Sequence, residues 1–233
     1  MAKRKVAVFD IDGTIFRSSL LIELTEGLIQ AGIFPRKVEK VYATAYRAWL
    51  SRTGSYEDYI AGVIKGFEKY IRGVPMADFR RVSRSVAMFH RGRVYRYTRD
   101  LVAKLKKKGY FLLAISHSPK TVVDFFAEHL GFDKIYARLH ELDARGRLLP
   151  GTLYPDLIFD KAKVLRRAME KEGLALRGSV GVGDTSSDIS FLKLVDRPIC
   201  FNPNAGLYRY AKRHGWKIVV ERKDVVYEVG GGG

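Results

Sequence analysis

Runs of consecutive apolar residues that close on polar or acidic groups alternate in this chain with longer stretches where apolar residues return every third or fourth position. The first run, Val6-Ala7-Val8-Phe9, ends in Asp10-Ile11-Asp12-Gly13-Thr14 and predicts a buried strand that delivers both acids to its C-terminal end. From Ile15 to about Tyr97 the spacing is helical. Leu20, Leu21, Leu24, Leu28 and Ile29 form one stripe, which Gly32 stops. Pro35 can open a second helix whose inner face carries Val38, Val41, Tyr42, Ala45, Tyr46 and Trp49. Ser55-Tyr56-Glu57-Asp58 reads as a capping sequence ahead of Tyr59, Val63, Phe67 and Tyr70, and a fourth stripe runs Phe79, Val82, Val86 and Phe89. These aromatic stripes are read as packed core rather than as a substrate box, because any buried helix face needs this spacing.

From Leu101 the pattern returns to alternating helix and strand. A lysine-rich helix, Leu101 to Lys108, precedes an apolar strand from Tyr110 to Ile115 that closes on Ser116-His117-Ser118-Pro119, and a helix follows from Thr121 to Leu130. Lys134-Ile135-Tyr136 is a short strand; Arg138 to Asp143 and Leu148 to Tyr154 then flank a turn at Arg145-Gly146, the pattern of a hairpin. Asp160 can cap a helix from Lys161 to Glu172. Beyond it come a strand at Ser179 to Val182, a helix at Ser186 to Leu194, a strand at Pro198 to Phe201, a helix at Leu207 to His214 and a strand at Trp216 to Val220. Strands separated by helices imply right-handed crossovers and an α/β fold, a parallel sheet sandwiched by helices, with the helical block inserted after the first strand. Gly230 to Gly233 is read as a frayed tail.

Candidate chemistry lies at the strand ends. Asp10 and Asp12 bring two carboxylates into one crevice, a placement compatible with a solvated turn, a metal site or acid/base work. Val180-Gly181-Val182-Gly183-Asp184 repeats the arrangement and adds a third carboxylate, with Asp188 one helical turn later. Three hard oxygen donors suit magnesium. A phosphate would complete such a site, and Ser116 at a strand end and Lys161 at a helix start are the donors available to hold it, with Lys163 an alternative to Lys161 and helix capping an alternative role for Ser116. His117 is read as facing away from the site or contacting solvent, since no step needs it.

Charge widens the range of partners. A net charge of +17 draws anions, whether phosphorylated substrates, nucleic acid or anionic lipid. The excess is densest from Arg80 to Lys108, where a solvated helix face is favoured over a nucleic-acid site. No apolar stretch approaches the roughly 20 residues needed to span a bilayer. The basic Met1-Ala2-Lys3-Arg4-Lys5 is followed by too short an apolar run for a signal peptide, and the single Cys200 lies in an apolar run as an inert thiol. The expectation is a cytoplasmic protein without membrane insertion.

In its four segments and their order, the chain resembles the haloacid dehalogenase superfamily of aspartate-nucleophile phosphotransferases, and within it the branch that contains phosphoserine phosphatase. Asp10-x-Asp12-Gly13-Thr14 matches the first motif, Ser116 the second, Lys161 the third, and Gly183-Asp184 with Asp188 the fourth. The resemblance implies a HAD-like Rossmannoid core over residues 1–14 and 98–233, and a helical cap over 15–97. It implies a Mg2+-dependent phosphomonoester phosphatase in which Asp10 is the nucleophile and Asp12 the general acid/base. Gly13, Thr14, Ser116 and Lys161 would bind phosphate; Asp10, Asp184 and the backbone carbonyl of Asp12 would hold the metal, with Asp188 behind them orienting metal-bound water. The expected substrate is a small phosphorylated metabolite, with phosphoserine one candidate. Phosphoserine phosphatases carry a cap acid for the substrate's ammonium and an arginine for its carboxylate. Here Ser19 stands where that acid is expected, Glu23 follows one turn on, and Arg72 or Arg47 could supply the guanidinium. A phosphotransferase, and a basic nucleic-acid-binding protein that removes end phosphates, remain alternatives.

Overall fold

The computed structural model describes residues 3–229. The first strand, β1 (Lys5–Asp10), buries five of its six residues. Its side chains alternate between faces: Val6 and Val8 join one apolar cluster, Ala7 and Phe9 another. A strand covered on both faces needs apolar residues throughout, as the sequence supplies. Four helices follow: α1 (Leu20–Gln30), α2 (Glu39–Leu50), α3 (Tyr56–Ile71) and α4 (Met76–Phe89). Ser55 caps α3 as expected, its hydroxyl accepting from Asp58 N–H at 3.0 Å. In the fourth stripe Phe79, Val82 and Val86 are buried while Phe89 stands in solvent at the last turn.

The chain leaves and re-enters the sheet region side by side. Arg17 N–H donates to Arg93 C=O and Tyr95 N–H to Ile15 C=O, so the segments on either side of the four helices form one paired stem. Helix α5 (Arg96–Lys107) then leads to β2 (Phe111–Pro119), α6 (Lys120–Ala127) and β3 (Lys134–Arg138). A short α7 (Pro155–Ile158) and α8 (Lys161–Glu172), capped by Asp160, precede β4 (Ala175–Gly183). The remainder is α9 (Ile189–Leu192), β5 (Arg197–Phe201), α10 (Ala205–His214), β6 (Lys217–Arg222) and β7 (Val225–Glu228).

The seven strands lie in the order β3-β2-β1-β4-β5-β6-β7. All pairings are parallel except β6 with β7, which turns back through Lys223 in a left-handed conformation at φ 55°. A wholly parallel sheet was expected, and this edge strand departs from it because a two-residue turn leaves room only for an antiparallel return. The expected 138–154 hairpin also differs. Its arms cross where predicted, with Asp143 N–H to Arg147 C=O and Leu149 N–H to Glu141 C=O, but no ladder forms. The outer arm spends backbone groups elsewhere: Leu148 exchanges hydrogen bonds with the Gly73–Val74 turn, and Gly146 C=O accepts from Met76 N–H. The helix expected from Ser186 to Leu194 is a 3-10 turn at Ser186–Asp188 followed by the single-turn α9. Gly230 to Gly233, read as a tail, fall outside the described residues.

Strand order positions the site. β1 lies between β2 and β4, with Asp10 opposite Ile115 and Phe9 opposite Val182, so the three segments carrying Asp10, Ser116 and Asp184 end together. The chain's crossovers diverge to either side of β1, and ligands of open α/β sheets bind in the crevice formed there.

Candidate active site

Asp10 ends β1, and the backbone after it folds tightly enough to keep the next residues close. Ile11 C=O accepts from the N–H groups of Thr14, Ile15 and Phe16, and Gly13 adopts φ +80°. A Cβ on Gly13 would lie 2.1 Å from Asp184 Oδ2, so only glycine lets the third carboxylate approach. Thr14 Oγ1 donates to Asp184 Oδ1 at 3.2 Å. Gly183 serves Asp188 in the same way: a Cβ there would meet that carboxylate at 2.7 Å.

Lys161 ties three elements together. Its ammonium, buried at the start of α8, donates to Asp10 Oδ1 at 2.6 Å and to Asp188 Oδ1. Burial opposes its charge, but Asp10 and Asp188 outweigh that cost and hold it protonated well above the ordinary lysine range. Lys163, the alternative, is exposed. Asp188 is fully committed. Its Oδ2 accepts from the N–H groups of Asp184 and Thr185 at 3.0 and 2.9 Å and closes a capping box with Thr185.

Carboxylate oxygens of Asp10, Asp184 and Asp188 lie within 4.8 Å of one another. Burial, only partly offset by Lys161, raises Asp10 to about 7, and burial with the neighbouring negative charges raises Asp184 well above its ordinary value. One lysine therefore faces three carboxylates. Asp10 Oδ2 is buried with no hydrogen-bond partner, an arrangement that costs free energy unless a proton or cation satisfies it. Hard oxygen donors with surplus negative charge and an orphaned oxygen fit a divalent cation held by Asp10 and Asp184.

Asp12 stands apart from that cluster. Its Oδ2 accepts from Ser116 Oγ at 2.7 Å, and its Oδ1 accepts from Leu20 N–H, the first amide of α1. Ser118 Oγ accepts from the next amide, Leu21 N–H, at 3.1 Å. Ser19, the formal cap of α1, makes no capping bond, so Asp12 and Ser118 take that task. Burial raises Asp12 above the usual carboxylate range, its hydrogen bonds only partly opposing the shift.

Above the acids opens a cavity of about 650 Å³. Asp10, Asp12, Gly13, Lys161 and Asp184 form its floor; the fully buried Ser116 and Thr14 sit behind it with their hydroxyls turned to Asp12 and Asp184. His117 lines the cavity, contrary to the expectation that it faces away or meets solvent. Its ring packs edge-on against Phe159, and burial, reinforced by Lys161, lowers it to about 4. Ser19 and Glu23 also reach the cavity, whereas Arg72 and Arg47 do not. The arginines that do are Arg17 and Arg93, from the paired stem. Sequence reasoning missed both, although their signal was available: Arg17 follows the first motif by three residues and Arg93 lies across the stem from it. Tyr46, Trp49 and Tyr59, read as core, line the cavity as well, together with Tyr56 of the capping sequence.

A family model described as haloacid dehalogenase-like hydrolase matches residues 7–193. The chain belongs to this family. Among curated relatives, a phosphoserine phosphatase of Archaeoglobus fulgidus is 25% identical over 86% of the chain and 53% of its own length. The chain thus spans about half of that relative. A phosphoserine phosphatase of Methanocaldococcus jannaschii is 23% identical, covering 96% of the chain and 95% of that protein. A phosphoserine phosphatase solved as a phospho-aspartyl intermediate analogue superposes with a TM-score of 0.63 at 22% identity, covering 96% of each chain. A Bordetella pertussis protein of unknown function superposes at 0.68 and 20% identity over 93% of this chain and 98% of that one. The chain is therefore an enzyme of the haloacid dehalogenase-like hydrolases, phosphoserine phosphatase-like in sequence and fold. Among the described residues, no helix is long and apolar enough to cross a membrane.

Proposed function

We propose that this haloacid dehalogenase-like hydrolase is a Mg2+-dependent phosphatase of small phosphorylated metabolites that works through an aspartyl-phosphate on Asp10. The observation that carries the reading is the ammonium of Lys161 at 2.6 Å from Asp10, beside an Asp10 oxygen that is buried and unpartnered at the floor of a cavity. Lys161 favours the ionised form of Asp10 against its burial and holds the side chain in place, so that a carboxylate oxygen can attack phosphorus as the bond to the leaving alkoxide breaks. Asp12, raised by burial, can carry the proton that the leaving oxygen takes up. The resulting Asp12 carboxylate then accepts a proton from water as that water attacks the aspartyl-phosphate, releasing phosphate and restoring Asp10. Gly13 and Lys161 border the space for the phosphoryl oxygens, and Ser116 and Thr14 reach it by releasing their bonds to Asp12 and Asp184. A magnesium ion on Asp10, Asp184 and the Asp12 carbonyl would screen the repulsion between carboxylate and phosphate. Asp188 would position Lys161 and the start of the Asp184 turn.

In this reading residues 15–97 act as a cap that closes the cavity, and residues 1–14 with 98–233 form the catalytic core. A cytoplasmic location accords with the buried lone thiol of Cys200 and with such substrates. The test is release of p-nitrophenol from its phosphate ester with Mg2+. Wild-type protein turns over and Asp10→Asn, folded by circular dichroism, does not. Full activity in Asp10→Asn rules the mechanism out.

A further inference from the structure

The walls of the cavity are unlike its floor. Tyr46, Trp49, Tyr56 and Tyr59 converge from α2 and α3, with Trp49 stacked on Tyr59 at a centroid distance of 5.4 Å and 16° between planes. Trp49 also meets Tyr56 edge-on at 5.7 Å, and Tyr46 packs on Tyr59 at 5.0 Å. The rings lean on one another and line one wall of the cavity. They form a surface to stack against rather than a cage around a small cation. Trp49 and Tyr56 are half-buried, so part of each ring still faces open space. Tyr56 also sits near the floor: after burial, the charges of Asp12 and Asp184 are what raise its hydroxyl, and Ser19 lies against it.

Arg17 and Arg93 could meet the carboxylate of an amino-acid ester, but the acid that would recognise its ammonium is engaged elsewhere. Glu23, the acid available for a substrate ammonium, accepts from Ser18 at 2.8 Å and from Arg93 at 2.8 Å, and its second oxygen lies 3.0 Å from His90 Nε2. Glu57, the other wall carboxylate, accepts from Asn204 at 2.7 Å. Among the described residues the wall thus offers an ammonium only the second oxygen of the exposed Glu57, while Arg17 and Arg93 in the same lining favour anionic groups. The volume points the same way. About 650 Å³ is within the roughly 300–1,000 Å³ of cavities that enclose drug-sized ligands, far more than a three-carbon amino acid fills.

We infer that the leaving group taken by this site is an uncharged or anionic alcohol bearing an aromatic ring, stacked against Trp49 and Tyr56, and not the zwitterionic serine. The inference rests on the phosphatase reading for where the phosphate sits and specifies the substrate class. Burying one face of a ring on aromatic side chains gives roughly tenfold or more in affinity over an alcohol without one.

Two alkyl esters, neither with an activated leaving group, separate ring recognition from intrinsic reactivity: 2-phenylethyl phosphate and O-phosphoserine. Wild-type protein with Mg2+ should show a kcat/KM at least tenfold higher for the phenylethyl ester. In Trp49→Ala that preference should collapse toward one, through KM rather than kcat, and Trp49→Phe should restore it. Equal or greater efficiency with phosphoserine overturns the inference while leaving the phosphatase reading in place. Calorimetry with two non-cleavable phosphonates, 2-phenylethylphosphonate and 2-aminoethylphosphonate, reads the pocket independently of turnover. Tighter binding of the phenyl compound by at least tenfold supports the inference even in a protein that hydrolyses nothing. Equal binding, or preference for the ammonium, overturns it. Absence of turnover with every ester, p-nitrophenyl phosphate included, counts against the phosphatase reading alone.

Discussion

Lys161 and Asp10 meet at 2.6 Å with both side chains buried, although 151 positions of sequence separate them. The contact joins the start of α8 to the end of β1, and Asp188 holds the same ammonium from the far side. Removing the cation leaves a cluster of buried carboxylates without compensation. Lys161→Met is expected to lose about 3–5 kcal/mol of stability at neutral pH, the usual cost of breaking a buried ion pair from one side. Urea unfolding measures that loss, and phosphatase activity should fall at least 100-fold, roughly the scale of one preorganised electrostatic contact. Wild-type stability in this variant means the pair is not formed.

Gly13 tests the packing of the acids by a different route. Alanine there is strained by the positive φ of 80° and would overlap Asp184 Oδ2. Gly13→Ala should therefore displace Asp184 and cost about 1–3 kcal/mol in backbone strain. Because the change lies in a loop after β1, the fold should persist. The specific readout is the rise in melting temperature produced by Mg2+. A ligand at 100 times its Kd stabilises by about 2.7 kcal/mol, and that increment should shrink in Gly13→Ala and in Asp184→Asn while persisting in wild-type protein.

Much of this site was legible because the chemistry sits where secondary structure changes. Asp10, Ser116 and Asp184 each end an apolar run, so strand periodicity alone placed them at one edge of the sheet, and a helix-start lysine marked Lys161. Apolar spacing also located α1 to α4, since a buried face must repeat with the helix. The spacing could not say what that face was buried against. Trp49 and Tyr46 share the stripe of Tyr42, yet Tyr42 is buried and bonds Glu26 while the other two line the cavity. Position along a helix fixes direction around its axis, and only tertiary placement decides whether a neighbour or a void lies in that direction. β7 was invisible for a similar reason: four residues at an edge need no apolar alternation, and their pairing depends on β6 being already in place.

His140 offers a test of electrostatics away from the acids. Its ring lies between Phe67 and Phe79, its Nε2 is buried without a partner, and the charged groups facing it are Arg138 and Glu68. Burial, together with Arg138, lowers it to about 4 from an ordinary 6.5. The folded state keeps this imidazole neutral where the unfolded chain protonates it. Its contribution to stability is thus complete above pH 6.5 and is lost as pH falls toward 4, by up to about 3 kcal/mol. The raised carboxylates of the active site change with pH in the opposite sense, so the comparison must be between variants. His140→Phe shares those carboxylates and should lose less stability than wild type between pH 7 and pH 5 in urea titrations. Parallel pH profiles for the two proteins would show that His140 is protonated in the fold.

Asp12 separates the two chemical steps. Its oxygens accept from Ser116 and from the first amide of α1, and asparagine can keep the acceptor to α1 while losing the proton. General acid catalysis matters most when the leaving alkoxide is a strong base and contributes about 100- to 10,000-fold there. Asp12→Asn should therefore cripple hydrolysis of an alkyl phosphate by at least 100-fold in single-turnover experiments. With p-nitrophenyl phosphate, whose leaving group departs without a proton, the first step should survive and the second, which needs a base to activate water, should not. The expected record is a burst of one nitrophenolate per chain followed by a slow phase, with a phosphorylated protein trapped by acid quench. Loss of the burst along with the alkyl activity would assign Asp12 to holding Ser116 and α1 instead of moving a proton.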